Sequence, residues 1–242
     1  MESAIAQRLV ALNRQFYQSL AAPFSASRGR LQPGVMKVLE DVPAEANVLD
    51  LGCGNGGVAR QLAQRGHGGR YVGVDFSEDL LKDARKNVRS PTSDVQFLQA
   101  DLTSQFIQNS AISDQPFDFV FAFAVLHHIP SRELRLDFLR QVRSLLAPGG
   151  RFVLSNWQFM NSPRLQARVQ PWATIDIEEN DIDSEDYLLD WRSGGSGLRY
   201  VHHFNQAELG SLAADAGFTV ADSFLSDGKG GKLALYQTWI AA

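Results

Sequence analysis

"VLDLGCGNGG", residues Val48 to Gly57, decides how the rest of the chain is read. With Ala46 and Asn47 before it, the apolar start predicts a short strand over 46–51. Gly52, Gly54 and Gly56 then let the backbone turn sharply and come close to a ligand. A helix is predicted over roughly 57–65, so the glycines sit at a strand-to-helix turn of the kind that receives a nucleoside. The kind of nucleoside stays open at this point. Gly52, Gly54 and Gly57 also satisfy G-x-G-x-x-G, and Asp75 lies at a suitable distance for a ribose hydroxyl, as in a dinucleotide site.

The same alternation continues outward. RYVGVDF (70–76), DVQFLQAD (94–101) and PFDFVFAFAVL (116–126) read as strands two to four, and the fourth is apolar enough to be buried on both faces. Ser77 is placed to cap a helix carrying Leu80, Ala84 and Val88, and Ser131 one carrying Leu134, Phe138, Val142 and Leu145. "APGG" (147–150) is expected to stop that helix before a fifth strand, GRFVLSNW. A last helix near 205–216 ends at Gly217, and FTVADSFL and KLALYQTWI close the chain as strands. The pattern predicts an α/β fold, an open and mostly parallel sheet with helices on both faces.

Two stretches break the rhythm. Residues 1–41 read as helical, interrupted around Pro23 to Gly34, with Ile5, Leu9, Leu12 and Phe16 on one face. Residues 157–204 read as irregular, with eight acidic and no basic residues between Ala173 and Trp191. An interruption this long is expected to be a lid over a substrate. Within it, "GLRYVHHF" (Gly197 to Phe204) sets Arg199, Tyr200, His202 and His203 close together, unlike a core strand. The expected organisation is one domain over 1–242: a helical cap (1–41), a ligand-binding core (46–155), the lid (157–204), and a closing helix and strands (205–242).

Composition narrows the possibilities. The chain has 242 residues, 44% of them hydrophobic, enough for one sizeable core. A net charge of −4 argues against a basic nucleic-acid coat and requires any RNA contact to be local. Cys53 is the only cysteine, so no internal disulfide forms and no zinc cluster is built from cysteines. No apolar run reaches the roughly 18 residues of a membrane span, and the N-terminus lacks the apolar core of a signal peptide, so a cytoplasmic protein is expected.

The acids after each strand favour one ligand. Asp50, just before the glycines, is placed to hold a cation; a pyrophosphate turn needs no such acid. Asp75 can accept both ribose hydroxyls, and Asp101 can contact an adenine amino group. Three acids at consecutive strand ends suit a ligand without phosphate that carries a positive sulfonium. The run VLDLGCGNGG, VGVDFS, QADL, FDFVFAFAVLHHI, LLAPGGRF resembles the class I S-adenosylmethionine-dependent methyltransferases over residues 46–155. That resemblance implies a Rossmann-like seven-stranded sheet whose last strand is antiparallel. It also implies S-adenosylmethionine contacts from Asp50, Gly52, Gly54, Asp75, Phe76, Asp101, Leu102 and Ala122.

"EDYLLDW", "GLRYVHHF" and the N-terminal "FYQSLAAPFSASRGRLQPGVMKVL" resemble a narrower group, the tRNA methyltransferases that esterify 5-carboxymethyluridine at the wobble position. "SNWQFMNSPRLQ" does not resemble that group. The resemblance implies a carboxylate on a modified tRNA uridine as acceptor and a small zinc-binding activator subunit as partner. A carboxylate is already charged at pH 7, so it needs alignment rather than a general base. Arg199 and Arg28 are the candidate anion holders, with His202 and Tyr200 as further donors; His127 or His128 is expected to line the cofactor or the acceptor, and His127 joins Arg199, Arg28 and His202 as a candidate catalytic residue. Three rival readings stand beside this one: methylation of a small metabolite, a dinucleotide-dependent oxidoreductase, and a non-catalytic S-adenosylmethionine-binding regulator.

Overall fold

The computed structural model describes residues 1–20, 29–88, 94–192 and 195–242. Two helices, α1 (Ser3–Ser19) and α2 (Pro33–Glu40), come before the sheet. Then β1 (Val48–Leu51), α3 (Gly57–Gln64), β2 (Tyr71–Asp75), α4 (Glu78–Asn87) and β3 (Val95–Gln99) alternate. They are followed by β4 (Phe117–Phe123), α5 (Arg132–Leu145) and β5 (Leu146–Trp157). An insertion carries β6 (Val169–Gln170), β7 (Asp186–Trp191) and β8 (Gly197–His202). The chain closes with α5's neighbour α6 (Gln206–Asp215), then β9 (Phe218–Ser226) and β10 (Ala234–Ala241).

The main sheet has seven strands in the order β3-β2-β1-β4-β5-β10-β9. β1 to β5 pair in parallel, and β10 is antiparallel to both β5 and β9. The order reverses between β1 and β4, which opens a crevice at their carboxyl ends where ligands bind in such sheets. One core lies between the sheet and α5 and α6, with Leu49, Val72, Phe138, Leu212 and Trp239 buried in it. The other lies beneath α2 and α3, with Val38, Leu39, Leu62, Phe121 and Tyr236. Ser77 accepts from the Leu80 N–H (3.4 Å) and Ser131 from the Leu134 N–H (3.3 Å), so both expected caps form.

Three expectations change. First, "APGG" does not separate α5 from β5: the helix ends at Leu145, and the strand starts at Leu146 and runs through it. A register irregularity between Phe117 and Phe119 absorbs the Pro–Gly pair. Second, α1 buries Leu9 and Phe16 of the expected face together with Ala6 and Asn13, while Ile5 and Leu12 are only partly buried against the cluster that holds Leu9. Third, the insertion is not irregular: β6, β7 and β8 form an antiparallel sheet in which Asp186 faces His202 and Leu189 faces Arg199. "GLRYVH" is therefore a strand, buried from Arg199 to His202. Its polar side chains are tolerated inside because remote parts of the chain surround them with rings or hydrogen-bonding groups.

Candidate active site

The crevice beyond β1 and β4 is a cavity of about 230 Å³. Its floor is the glycine loop. Gly52 has φ +77°, and a Cβ there would lie 2.5 Å from Val125 Cγ2, so both conformation and space require glycine. Gly54 has φ +54°, and nothing lies within 4 Å of where its Cβ would be, which leaves its backbone open to a ligand. Asp50 is buried at the end of β1 and accepts from the Tyr71 hydroxyl (2.6 Å). Burial pushes its carboxyl up to about 7, despite the opposing Tyr71 hydrogen bond. Asp75 is also buried; its two oxygens accept from the Gly54 and Ser77 N–H groups (both 2.9 Å), which ties the turn to the end of β2. Burial raises its carboxyl too, against those backbone bonds. Among the described residues neither acid is ion-paired.

The far wall is Asp101, Leu102 and Thr103. Asp101 commits both oxygens within the chain: Oδ1 accepts from the Thr103 N–H (2.9 Å) and hydroxyl (2.7 Å), and Oδ2 pairs with Arg14. Arg14 belongs to α1, which closes the cavity with Val10, Asn13, Arg14 and Tyr17. Asn13 fixes that helix: it accepts from the Tyr200 N–H (2.8 Å) and donates to the Tyr200 and His128 carbonyls (both 3.1 Å). Such bonds each contribute about 0.5–1.5 kcal/mol net. Sequence reading passed over Asn13, Arg14 and Tyr17; the available signal was Asn13 itself, a polar residue seven positions from Ala6 and four from Leu9 on the buried face.

The cavity separates the two histidines after β4. His128 lines it, and its Nδ1 lies 3.1 Å from the Tyr200 carbonyl, which can only accept, so Nδ1 carries a proton. In the neutral ring, Nε2 then accepts from the Tyr17 hydroxyl at 2.7 Å. His127, the one expected among the catalytic residues, is instead turned into the protein, where its Nδ1 meets the Trp157 N–H (3.3 Å). Ala122, expected at the ligand, is instead fully buried in the core beneath α5; the lining begins one residue later with Phe123, Ala124 and Val125. Phe76 lines the cavity beside Tyr17, ring centroids 6.0 Å apart.

Arg199 and His202 lie outside this cavity. His202 is buried, with Nδ1 2.6 Å from Asp186 and Nε2 2.8 Å from Glu208, and does not face a ligand. Arg199, 5% exposed, sits in a box of rings: its guanidinium carbon is 4.7 Å from the Trp157 centroid and 5.4 Å from those of Phe16 and Trp191. Its Nε has no hydrogen-bond partner, and no acid among the described residues pairs with it. The box adjoins the cavity wall through α1, where the Phe16 and Tyr17 rings are 5.0 Å apart. Arg28 lies outside the described residues.

A seven-stranded sheet of this order, with a glycine turn and acids at the ends of β1 and β2, defines a class I methyltransferase fold. Residues 44–200 match the methyltransferase-domain family, and the chain belongs to that family. A protein of Encephalitozoon cuniculi named as a methyltransferase is 28% identical over 86% of this chain and 87% of its own length. The Saccharomyces cerevisiae tRNA (carboxymethyluridine(34)-5-O)-methyltransferase is 31% identical over 58% of this chain and 46% of its own length. The chain spans 19% of the Mus musculus relative of the same activity, at 27% identity and 59% of this chain. Trans-aconitate 2-methyltransferase of Azoarcus is 32% identical over 56% of this chain and 51% of its own length.

Among solved structures, the partner of the Trm112 methyltransferase activator in a Haloferax volcanii complex superposes with a TM-score of 0.67 at 19% identity, covering 94% of this chain and 96% of that one. DhpI bound to SAH superposes with 0.64 at 20% identity, covering 97% of each. Likenesses at this identity establish the fold. The residues here fit S-adenosylmethionine: buried acids without a cation for its charged and hydroxyl-bearing parts, an open Gly54 backbone, and apolar Phe76, Leu80 and Leu102 for a base. Asp50 opposes a pyrophosphate at the glycine turn, which weighs against the dinucleotide reading of the glycines. Among the described residues no group of three or more His, Cys, Asp or Glu is placed to hold a metal, and no helix is long and apolar enough to cross a membrane.

Proposed function

We propose that this methyltransferase transfers a methyl group from S-adenosylmethionine to a carboxylate, that of a modified wobble uridine in tRNA. The cofactor supplies a methyl group on a cationic sulfur. Asp50, Asp75 and the open side of Gly54 would hold its methionine and ribose parts, with Leu102, Thr103 and Phe76 around its base.

The observation that carries the carboxylate is Arg199. It is a buried guanidinium with ring faces around it and no anion from the described residues. The segments outside the described residues contain no acid in their sequence either. A buried charge left unpaired is costly, so an anion supplied by the acceptor would complete the site. A carboxylate matches a guanidinium by two parallel hydrogen bonds. At pH 7 it needs no base, and the chain's part is to orient it and exclude water. Tyr17 and His128, hydrogen-bonded to each other between box and cavity, would set the path of approach.

The tRNA reading is supported by the yeast and mouse relatives named for carboxymethyluridine. An activator partner is supported by the Haloferax complex. A small-molecule carboxylate is the second reading, favoured by the acidic insertion, which repels phosphates, and by the relative named for aconitate. Labelled methyl transfer to bulk tRNA and to a small-molecule extract, both from cells lacking the protein, tests this. Label in tRNA that mild alkali releases is expected. Alkali-labile label confined to the extract supports the second reading, and alkali-stable label in either pool contradicts a carboxylate acceptor.

A further inference from the structure

The buried charge cluster around His202 touches neither cavity nor acceptor box, yet it holds the strand that organises both. His202 on β8 has Nδ1 2.6 Å from Asp186 Oδ1 on β7 and Nε2 2.8 Å from Glu208 Oε1 on α6. Both acceptors are carboxylates, so a ring that satisfies both bonds must donate from both nitrogens. A neutral ring would aim one lone pair at a carboxylate oxygen. From α5, Arg135 reaches Asp186 (3.4 Å), Glu208 (3.8 Å) and the Tyr200 hydroxyl (2.6 Å), and its Nε donates to the Ile129 carbonyl (2.9 Å). The Tyr200 hydroxyl donates to Asp186 (2.6 Å). With the imidazolium, two cations meet two anions; without it, one arginine faces both.

β8 passes this on. The peptide of Tyr200, two residues from His202, supplies the carbonyl that accepts from His128 and Asn13 and the N–H that donates to Asn13. His128 and α1 are walls of the cofactor cavity, and Arg199 is on the same strand.

We infer that His202 is a positioning residue: as an imidazolium it clamps β8 between β7 and α6, so that its proton is coupled to cofactor binding 

through Tyr200, Asn13 and His128. The inference rests on the glycine-loop cavity being the cofactor site and is independent of the acceptor. Burial lowers the affinity of this ring for a proton, but the bonds to Asp186 and Glu208 outweigh it and leave the ring raised above the ordinary histidine range. The adjacent His203, facing Glu185 at 3.6 Å, is lowered by burial and serves as an internal reference.

The test is the affinity for S-adenosylhomocysteine, by calorimetry from pH 6 to 10, in the wild type, His202→Gln and His202→Lys, with nitrogen NMR of the histidine rings in the wild type. Expected is a His202 ring that stays doubly protonated above the ordinary histidine value, and an affinity that falls as that ring loses its proton. His202→Gln should bind roughly 5- to 50-fold more weakly at pH 7 without that fall, a range set by typical coupling between sites. His202→Lys, still able to donate to both carboxylates, should regain most of the affinity and keep it to higher pH. The ligand's own ammonium titrates alike in all three proteins, and so does Asp50, whose effect has the opposite sign, so the comparison between the proteins isolates His202. A ring that titrates below the ordinary histidine value, or a wild-type affinity that ignores its titration, overturns the inference; both are measured on the wild type even where a variant fails to fold. No binding at any pH overturns the cofactor site instead.

Discussion

At the glycine loop, Asp50 and Asp75 are buried with no cation beside them among the described residues; in the insertion, Asp186 is buried against Arg135, Tyr200 and His202. Arg199 is the reverse of the first case, a buried cation with no anion beside it among the described residues. The difference separates function from support. A charge that the chain itself neutralises belongs to the scaffold, and one left open is the place for a ligand of opposite sign. On the proposed reading the cavity would take a cation at Asp50 and the aromatic box an anion at Arg199, with the charges around His202 holding the two in register.

The largest effect expected from breaking this division is in the scaffold. Arg135→Met removes the guanidinium that joins Asp186, Glu208 and Tyr200 and should cost about 3–5 kcal/mol of stability, read as the midpoint of urea unfolding. A loss under about 1 kcal/mol would mean the cluster is wet and weakly coupled. Gly52→Ala comes next. Its left-handed backbone and the nearby Val125 should make the alanine cost about 1–2 kcal/mol and displace Val125 toward the cavity, weakening S-adenosylhomocysteine binding in the same calorimetric experiment.

A smaller effect comes from Asp50, through pH. Its folded-state carboxyl is raised to about 7 from an ordinary 3.8, so the folded protein holds that proton more tightly than the unfolded chain. The associated stability is fully present below the ordinary value and is lost as pH rises toward and through 7. The melting temperature of the ligand-free protein should therefore carry a declining component over that window, absent in Asp50→Asn. Affinity for S-adenosylmethionine should move the other way, rising as Asp50 becomes charged. An affinity that is flat between pH 6 and 8 would detach Asp50 from the cofactor's charge.

The parts of the molecule legible in the sequence are those whose cause is local. Strand β1, its glycine turn and helix α3 follow within ten residues of one another, and Ser77 and Ser131 cap helices that start at the next residue. What escaped depends on distant partners. "GLRYVH" looks too polar for a buried strand until Asn13, Arg135, Asp186 and Glu208 are placed around it, the first of them 187 residues from Tyr200. The family resemblance puts Ala122 at the ligand, and because β4 is apolar on both faces, alternation gives no hint of which residue reaches the crevice. The histidine pair could not be sorted for a similar reason: a short 3₁₀ turn over Leu126–His128 aims one ring into the cavity and the other into the core. Residues Asp50, Gly52, Gly54, Asp75, Phe76, Asp101 and Leu102 do gather at one cavity, because all end or follow the first three strands.

The division between an acid-lined cofactor cavity and an arginine-bearing acceptor box is tested most directly by one calorimetric comparison. S-adenosylhomocysteine is titrated into Asp75→Ala and Arg199→Ala side by side with the wild type. Asp75→Ala should lose detectable binding, because the Gly54 and Ser77 N–H groups lose the carboxylate that shapes the turn. Arg199→Ala should bind as the wild type does. Equal losses in both would place Arg199 in the cofactor site or the scaffold, and undiminished binding by Asp75→Ala would contradict the cavity assignment itself.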